Sequence, residues 1–242
     1  MTKRKGNGLT RLALIIAAAA FILFFIGGPG FRFGLWSYET GFMLLRYGAY
    51  VGVVAAILGI LPLLHLIWRE RKLSSLLAVI IGVFVFMSLQ GYKNKARQVP
   101  AIHDISTDLD NPPQYLFIKA RDEAERGFTD TQHRALQEVY YEDIHSMNVP
   151  KNVTTTTEAL HQVLQNMGME IIHYNAPGGR IEAVATTSWF GFKDDVVVRV
   201  QASPNGSVID VRSVSRVGRS DIGKNAERIR KILKHAKDKL AL

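Results

Sequence analysis

Cysteine is absent from all 242 residues. That excludes disulfides, thiol catalysis, iron–sulfur clusters and cysteine-bound zinc. It leaves the compartment open, because a chain without thiols suits either side of a membrane. Acid is nearly absent from the first 90 positions, where Glu39 and Glu70 stand against nine Lys/Arg. The remainder is close to balanced, with 21 Lys/Arg and 19 Asp/Glu. The formal charge of +9 therefore belongs mainly to the N-terminal part. No basic stripe exists outside the last helical stretch, so no nucleic-acid partner is expected. Short catalytic signatures are also missing: no Gly-rich phosphate loop, no nucleophile elbow, no H-E-x-x-H. Histidines 103, 133, 145, 161 and 173 show no metal spacing, and neither metal nor cofactor is expected.

Long apolar runs are present instead, and almost all precede Gly91. Residues 12–31, 47–68 and 73–89 read as three membrane spans, forming an anchor over 1–92. Gly27-Gly28-Pro29-Gly30 loosens the end of the first span. That span has no convincing small-x-small cleavage site after its apolar centre and reads as an anchor rather than a signal peptide. None of the three runs contains Asp or Glu. Pro62 kinks the second, and His65 lies one turn from its end at Trp68, where it snorkels rather than relays protons.

Loop charge sets the orientation. Lys3, Arg4, Lys5 and Arg11 precede the first span, and Arg69, Arg71 and Lys72 separate the second from the third. These seven belong in the cytoplasm. Arg32 and Arg46 in the first loop, with Lys93, Lys95 and Arg97 after the third span, oppose them. Three spans then place Gly91–Leu242 on the far side. Phe31, Phe33, Trp36, Tyr38 and Phe42 suit the membrane–water interface.

The soluble part opens with an irregular segment over 93–150. Its Asn111-Pro112-Pro113 run forbids interior helix or central strand. A short helix is expected at 120–126. The core over 151–242 is more regular. Thr155-x-x-Glu158 reads as a capping box, with Leu160, Val163, Leu164 and Met167 on one face. Four strands follow: 169–174, 180–188, 195–201 and 208–216. Pro177-Gly178-Gly179 and Pro204-Asn205-Gly206 make turns. A last helix places Ile222, Ala226, Ile229, Leu233, Ala236 and Leu240 on one stripe. The expected fold is an α+β two-layer sandwich, a four-stranded antiparallel sheet with helices on one face. The other face carries Glu182, Asp195, Arg199, Asp210, Arg212 and Arg216.

Two places carry chemistry. Arg212, Arg216 and Arg219 lead into Ser220 and Asp221 at the start of the last helix, with Gly218 and Gly223 nearby. Guanidinium forks and a helix N-terminus suit a phosphate, a lipid head group or a carboxylate. The competing account is a structural network in which Asp221, Asp194 and Asp195 neutralise the arginines. Paired carboxylates such as Asp194-Asp195 do acid–base work or hold a metal where they converge. Adjacent strand residues point to opposite faces, so the two do not converge without a bulge. Just before them, Trp189, Phe190 and Phe192 form an aromatic loop tip suited to a partner, the bilayer or the core.

Ile102–Asp108, Asn111-Pro112-Pro113, Arg180-Ile181-Glu182-Ala183, Trp189–Asp195 and Asp210–Arg219 running into Ser220-Asp221-x-Gly223-x-Asn225 together resemble the bacterial domain-of-unknown-function family numbered 1499. The resemblance covers about 101–235. It implies the domain and its frequent membrane anchoring, and no activity. With it, the expected location is a bacterial inner membrane, N-terminus cytoplasmic and C-terminal domain periplasmic. Three functions stay open. The first is a non-enzymatic, membrane-anchored domain binding a partner or an anionic ligand. The second is a hydrolase-type enzyme using Asp194/Asp195 with the arginines. The third is an accessory subunit of a membrane protein complex.

Overall fold

The computed structural model describes residues 5–64, 72–118 and 131–241. His65, the Arg69–Arg71 turn, the short helix expected at 120–126, and Lys3 and Arg4 lie outside the described residues. The chain divides into two compact units, Met1–Lys95 with Ser188–Gly191, and Ala96–Thr187 with Phe192–Leu242.

The first unit is built on α1 (Lys5–Arg32), α2 (Tyr38–Leu64) and α3 (Lys72–Arg97). All three are long and apolar enough to cross a membrane. Each extends beyond its apolar run, because hydropathy marks bilayer-compatible residues and not helix ends. No proline falls in Tyr38–Arg46 or Gln90–Arg97, and α2 starts earlier and α3 ends later than the spans alone suggest. Leu12, Ile15, Ile22, Ile57, Ile80 and Phe84 are exposed apolar residues on these helices, the pattern of a lipid-facing surface.

The helices meet through small residues. The buried face of α2 reads Gly41, Leu45, Gly48, Gly52, Ala55, Gly59 and Pro62, at steps of three and four. Gly48 lies against the backbone of Ala20 and Phe24, Gly52 against Gly82, and Gly59 against Ser75. Ala13, Ala17, Ala55 and Ala78 form one buried cluster. In lipid, such residues let backbones approach and gain van der Waals contact. This small-residue face therefore serves the chain's own three helices. A side chain at Gly82 would run into the carbonyl oxygen of Gly52, which belongs to rigid backbone. Gly82→Val is expected to cost about 1–3 kcal/mol through overpacking. A lowered midpoint of thermal unfolding in mild detergent, beside an unaffected Gly8→Val control, is the expected reading.

The second unit contains β1 (Asp104–Ser106), α4 (Thr131–Tyr140), β2 (Met147–Val149), α5 (Val153–Asn166), β3 (Glu170–Asn175), β4 (Arg180–Thr186), β5 (Lys193–Ser203), β6 (Gly206–Ser215) and α6 (Lys224–Leu240). The sheet has six antiparallel strands, not the four expected. Its order is β1-β6-β5-β4-β3, with β2 also pairing β6. β1 covers one end of β6, opposite 212–214, and β2 the other, opposite 207–209. Both added strands come from the segment expected to be irregular. Three residues are too few to show alternation, so pairing alone reveals them.

Helices α5 and α6 cover one face. Leu160, Leu164, Ile181, Ala183, Val196, Val198, Ile209, Val211, Ile229 and Ile232 fill that core. Asn152, not the Thr155 box, caps α5: its side chain accepts from the Thr155 amide at 2.8 Å. The helix thus starts two residues before Thr155, and the Thr157 hydroxyl bonds back to the Val153 carbonyl at 2.7 Å. Ile222, expected as the first apolar residue of α6, precedes the helix in a left-handed conformation with φ of 54°. Ile232 is fully buried and Leu233 only partly.

Candidate functional site

The alternation of β5 and β6 sends their charges to two faces. Asp194 points to the helical side with Val196, and Asp195 to the opposite side with Val197 and Arg199. The two carboxylates have separate partners, Arg228 for Asp194 and Arg216 for Asp195.

The face away from α5 and α6 is not a flat, charged, open surface. Residues 104–118 supply partners to it, and its charged groups are buried or half-buried. Arg212 is 3% exposed. It grips Asp104 with two bonds, Nε to Oδ1 at 3.0 Å and Nη2 to Oδ2 at 2.7 Å. Tyr115 lies under its guanidinium at 5.7 Å and donates to the Asp195 carbonyl oxygen at 2.9 Å. Arg199 bonds Asp210 and Asp108, each at 2.9 Å. Asp210 also accepts from the Ser146 and Thr107 hydroxyls. Arg216, about one-third exposed, bonds Asp195 Oδ1 with Nε at 2.9 Å and Nη2 at 2.7 Å.

Glu182 is fully buried on this face. Its carboxylate accepts from three successive amides, Leu116, Phe117 and Ile118, at 2.7, 2.9 and 2.8 Å. Arg180 adds a bond at 3.0 Å and also donates to the Gln114 carbonyl. Burial pushes the Glu182 carboxyl up. The three amides and Arg180 outweigh it and hold the acid below its usual range.

On the helical face, a second network surrounds the start of α6. Arg228 donates to Asp194 Oδ2 at 2.5 Å, to the Ser213 hydroxyl at 2.9 Å and to Asn225 Oδ1 at 2.5 Å. Asn225 donates to the His103 carbonyl at 2.8 Å and the Ser215 hydroxyl at 3.0 Å. Asp221 caps the helix: Oδ1 accepts from the Gly223 amide at 2.8 Å and Oδ2 from the Asn225 amide at 2.6 Å. The Ser220 hydroxyl accepts from the Ile222 amide at 3.2 Å. Burial pushes the Asp221 carboxyl up, and the neighbouring Asp194 charge adds to this against the pull of the two amides. Burial likewise pushes the Tyr141 hydroxyl up to about 12, and the Asp221 charge contributes.

The expected anion site is thus distributed. Arg212 is engaged beneath 104–118, Arg216 is bonded to Asp195, and Arg219 is exposed. Three amides of the Ser220–Asn225 turn already meet Ser220 and Asp221. Arg228 was not among the expected residues. Its stripe position in α6 read as surface, and only the register of β5 brings Asp194 to it.

The aromatic tip also divides. Ser188–Gly191 belongs to the helical unit. Trp189 sits among Phe24, Phe25 and Tyr92, with ring centroids 5.7, 6.1 and 5.8 Å away. Phe190 is buried against Phe42 at 5.1 Å and Phe31 at 6.4 Å. Phe192 lies in the second unit, half-buried, its amide bonded to the Thr187 hydroxyl at 2.9 Å.

A family profile described as protein of unknown function (DUF1499) matches residues 104–235. The chain belongs to that family. No curated protein matches it. The DUF1499 region begins at Asp104 and ends at His235, so it encloses both partners of every buried ion pair described above. Helices α1, α2 and α3 fall outside it.

Proposed function

We propose that the chain is a non-enzymatic, membrane-anchored domain. It holds its DUF1499 region on the non-cytoplasmic side of a bacterial inner membrane and binds an anionic ligand or partner there. The observation supporting this reading is the matching of each buried acid of the sheet to an arginine. Glu182, Asp194, Asp195, Asp210 and Asp104 each meet an arginine, and Asp194 and Asp195 diverge to opposite faces. Acid–base catalysis needs carboxylates that converge on one reacting atom. These are committed to architecture, which leaves exposed cations on the surface of the region as its recognition chemistry.

Orientation is tested by reporter fusions. Alkaline phosphatase joined after Leu242 is expected to be active, and joined after Arg71 inactive. The opposite pattern would move the region to the cytoplasm. Binding is tested by native mass spectrometry of the full chain released from its own membranes, with a retained anionic species expected. A chain bare of any such species in every preparation would remove the binding function.

A further inference from the structure

A cleft of about 220 Å³ opens between the end of α5, the start of β3, the end of β4 and the first two turns of α6. Its lining has two characters. Met167, Met169 and Ala185 give it an apolar floor. Lys224, Arg228 and Lys231 also line it, with Glu227 as the one acid in the lining. Counting Asp194 behind Arg228, three cations stand against two carboxylates, which still leaves the cleft positive.

The cations are positioned rather than loose. Asp194, Ser213 and Asn225 hold Arg228 from behind, and its side chain is 11% exposed. Glu227 bonds Lys224 at 2.9 Å and Lys231 at 2.8 Å, at i,i+3 and i,i+4 spacing, and so holds both ammonium groups beside its own carboxylate. The two lysines hold the Glu227 carboxyl down at about 2, so it stays charged. A fixed guanidinium flanked by ammonium groups suits a phosphate or carboxylate with little ordering cost on binding. Thr186 adds a hydroxyl-bearing residue to the lining. Methionine beside such a head group offers a polarizable, adaptable apolar surface. Drug-sized sites occupy roughly 300–1,000 Å³, so this cleft holds one head group and a few carbons.

We infer that the Lys224–Arg228–Lys231 cleft binds a small amphiphilic anion, its head on the cations and its apolar tail on Met167 and Met169. This rests on the anion-binding reading above and names its site. The ligand chemistry, an alkyl phosphate or alkyl carboxylate, is shared by a bilayer lipid and a soluble metabolite.

The test uses the full chain in nanodiscs of phosphatidylcholine, with empty nanodiscs as the blank. Hexyl phosphate is titrated calorimetrically, beside inorganic phosphate and hexanol. Hexyl phosphate is expected to bind saturably and at least about tenfold more tightly than either control. Lys224→Gln with Lys231→Gln is expected to weaken it about tenfold or more while leaving the melting temperature unchanged. If the double variant fails to fold, Met167→Glu alone must weaken hexyl phosphate more than inorganic phosphate. Saturable binding that neither variant alters would overturn the cleft and leave the anion-binding reading standing. Equal binding of inorganic and hexyl phosphate would overturn the apolar tail, and no binding of either would overturn the inference. Nanodiscs containing phosphatidic acid separate the sources. Competition with hexyl phosphate assigns a bilayer lipid, and undiminished binding assigns a soluble ligand.

Discussion

Glu182→Leu is expected to lose about 3–5 kcal/mol of stability, the cost of leaving a buried partner unpaired. The substitution keeps a side chain of similar reach but strands the Leu116, Phe117 and Ile118 amides and leaves the Arg180 guanidinium with only neutral acceptors such as the Gln114 carbonyl among the described residues. Among the described residues this carboxylate is what those three amides meet, so the segment carrying Tyr115 keeps the bonds of Tyr115 and Gln114 but loses its fastening at 116–118. Circular dichroism melts of the full chain are expected to show a midpoint lower by roughly 10 °C or more. Glu182→Gln, which keeps an acceptor oxygen, is expected to recover part of the loss. A change within about 1 kcal/mol would show that the ion pairs are not structural. The exposed Arg230–Asp143 pair is the internal comparison, since pairs of that exposure contribute about 0–1 kcal/mol.

The same carboxylate fixes the sign of a pH effect. Its folded-state pKa lies below the ordinary glutamate value, so the unfolded chain binds the proton more strongly. The stability it contributes is complete above the ordinary range, near pH 4.3, and is lost as pH falls through the depressed folded value. Wild-type stability is therefore expected to fall on acidification below about pH 4.3, with a shallower fall in Glu182→Gln.

What was legible in the sequence follows from how far each signal reaches. The three spans were visible because a bilayer demands some 20 apolar residues in a row, a signal carried by composition alone. Strands β4 to β6 were visible because valine and isoleucine recur through 180–186, 193–203 and 206–215 between proline and glycine turns. Strand alternation placed Glu182, Asp195, Arg199, Asp210 and Arg212 on one face. It could not show that the face was covered. The cover comes from Asp104, Asp108, Tyr115 and the 116–118 amides, more than 60 residues away in sequence. Nothing local distinguishes Asp104 as the partner of Arg212, because that pairing is fixed only when β1 joins β6. A charged face therefore read as a surface when it is an interior of matched charges. Arg228 was missed for the complementary reason. Helical periodicity put it off the apolar stripe, and a buried acid opposite is invisible until the strand register is known.

Trp189→Ala is the other substitution expected to have a large effect, and its cause lies in a proline. Pro29 is inside α1 and has no amide hydrogen to give the Phe25 carbonyl four residues earlier. The Trp189 indole N–H donates to that carbonyl at 3.3 Å. Gly28 clears the space, since a side-chain carbon there would lie 2.7 Å from the indole ring. Arg32 at the end of α1 donates to the Ser188 carbonyl, and Gly41 leaves room for Phe190 in the same way. Truncating a packed tryptophan costs about 3–5 kcal/mol, and here it also exposes the carbonyl that Pro29 leaves without a donor. The expected result is a marked loss of detergent-resistant folded protein on heating, with Trp189→Phe intermediate because it restores the ring but not the N–H. Gly28→Ala is expected to be destabilising in the wild-type background and nearly silent in Trp189→Ala, where the ring it would strike is gone. That non-additivity, measured as a double-mutant cycle, is the decisive quantity. Independent effects of the two substitutions would mean that the indole does not occupy the Gly28 socket.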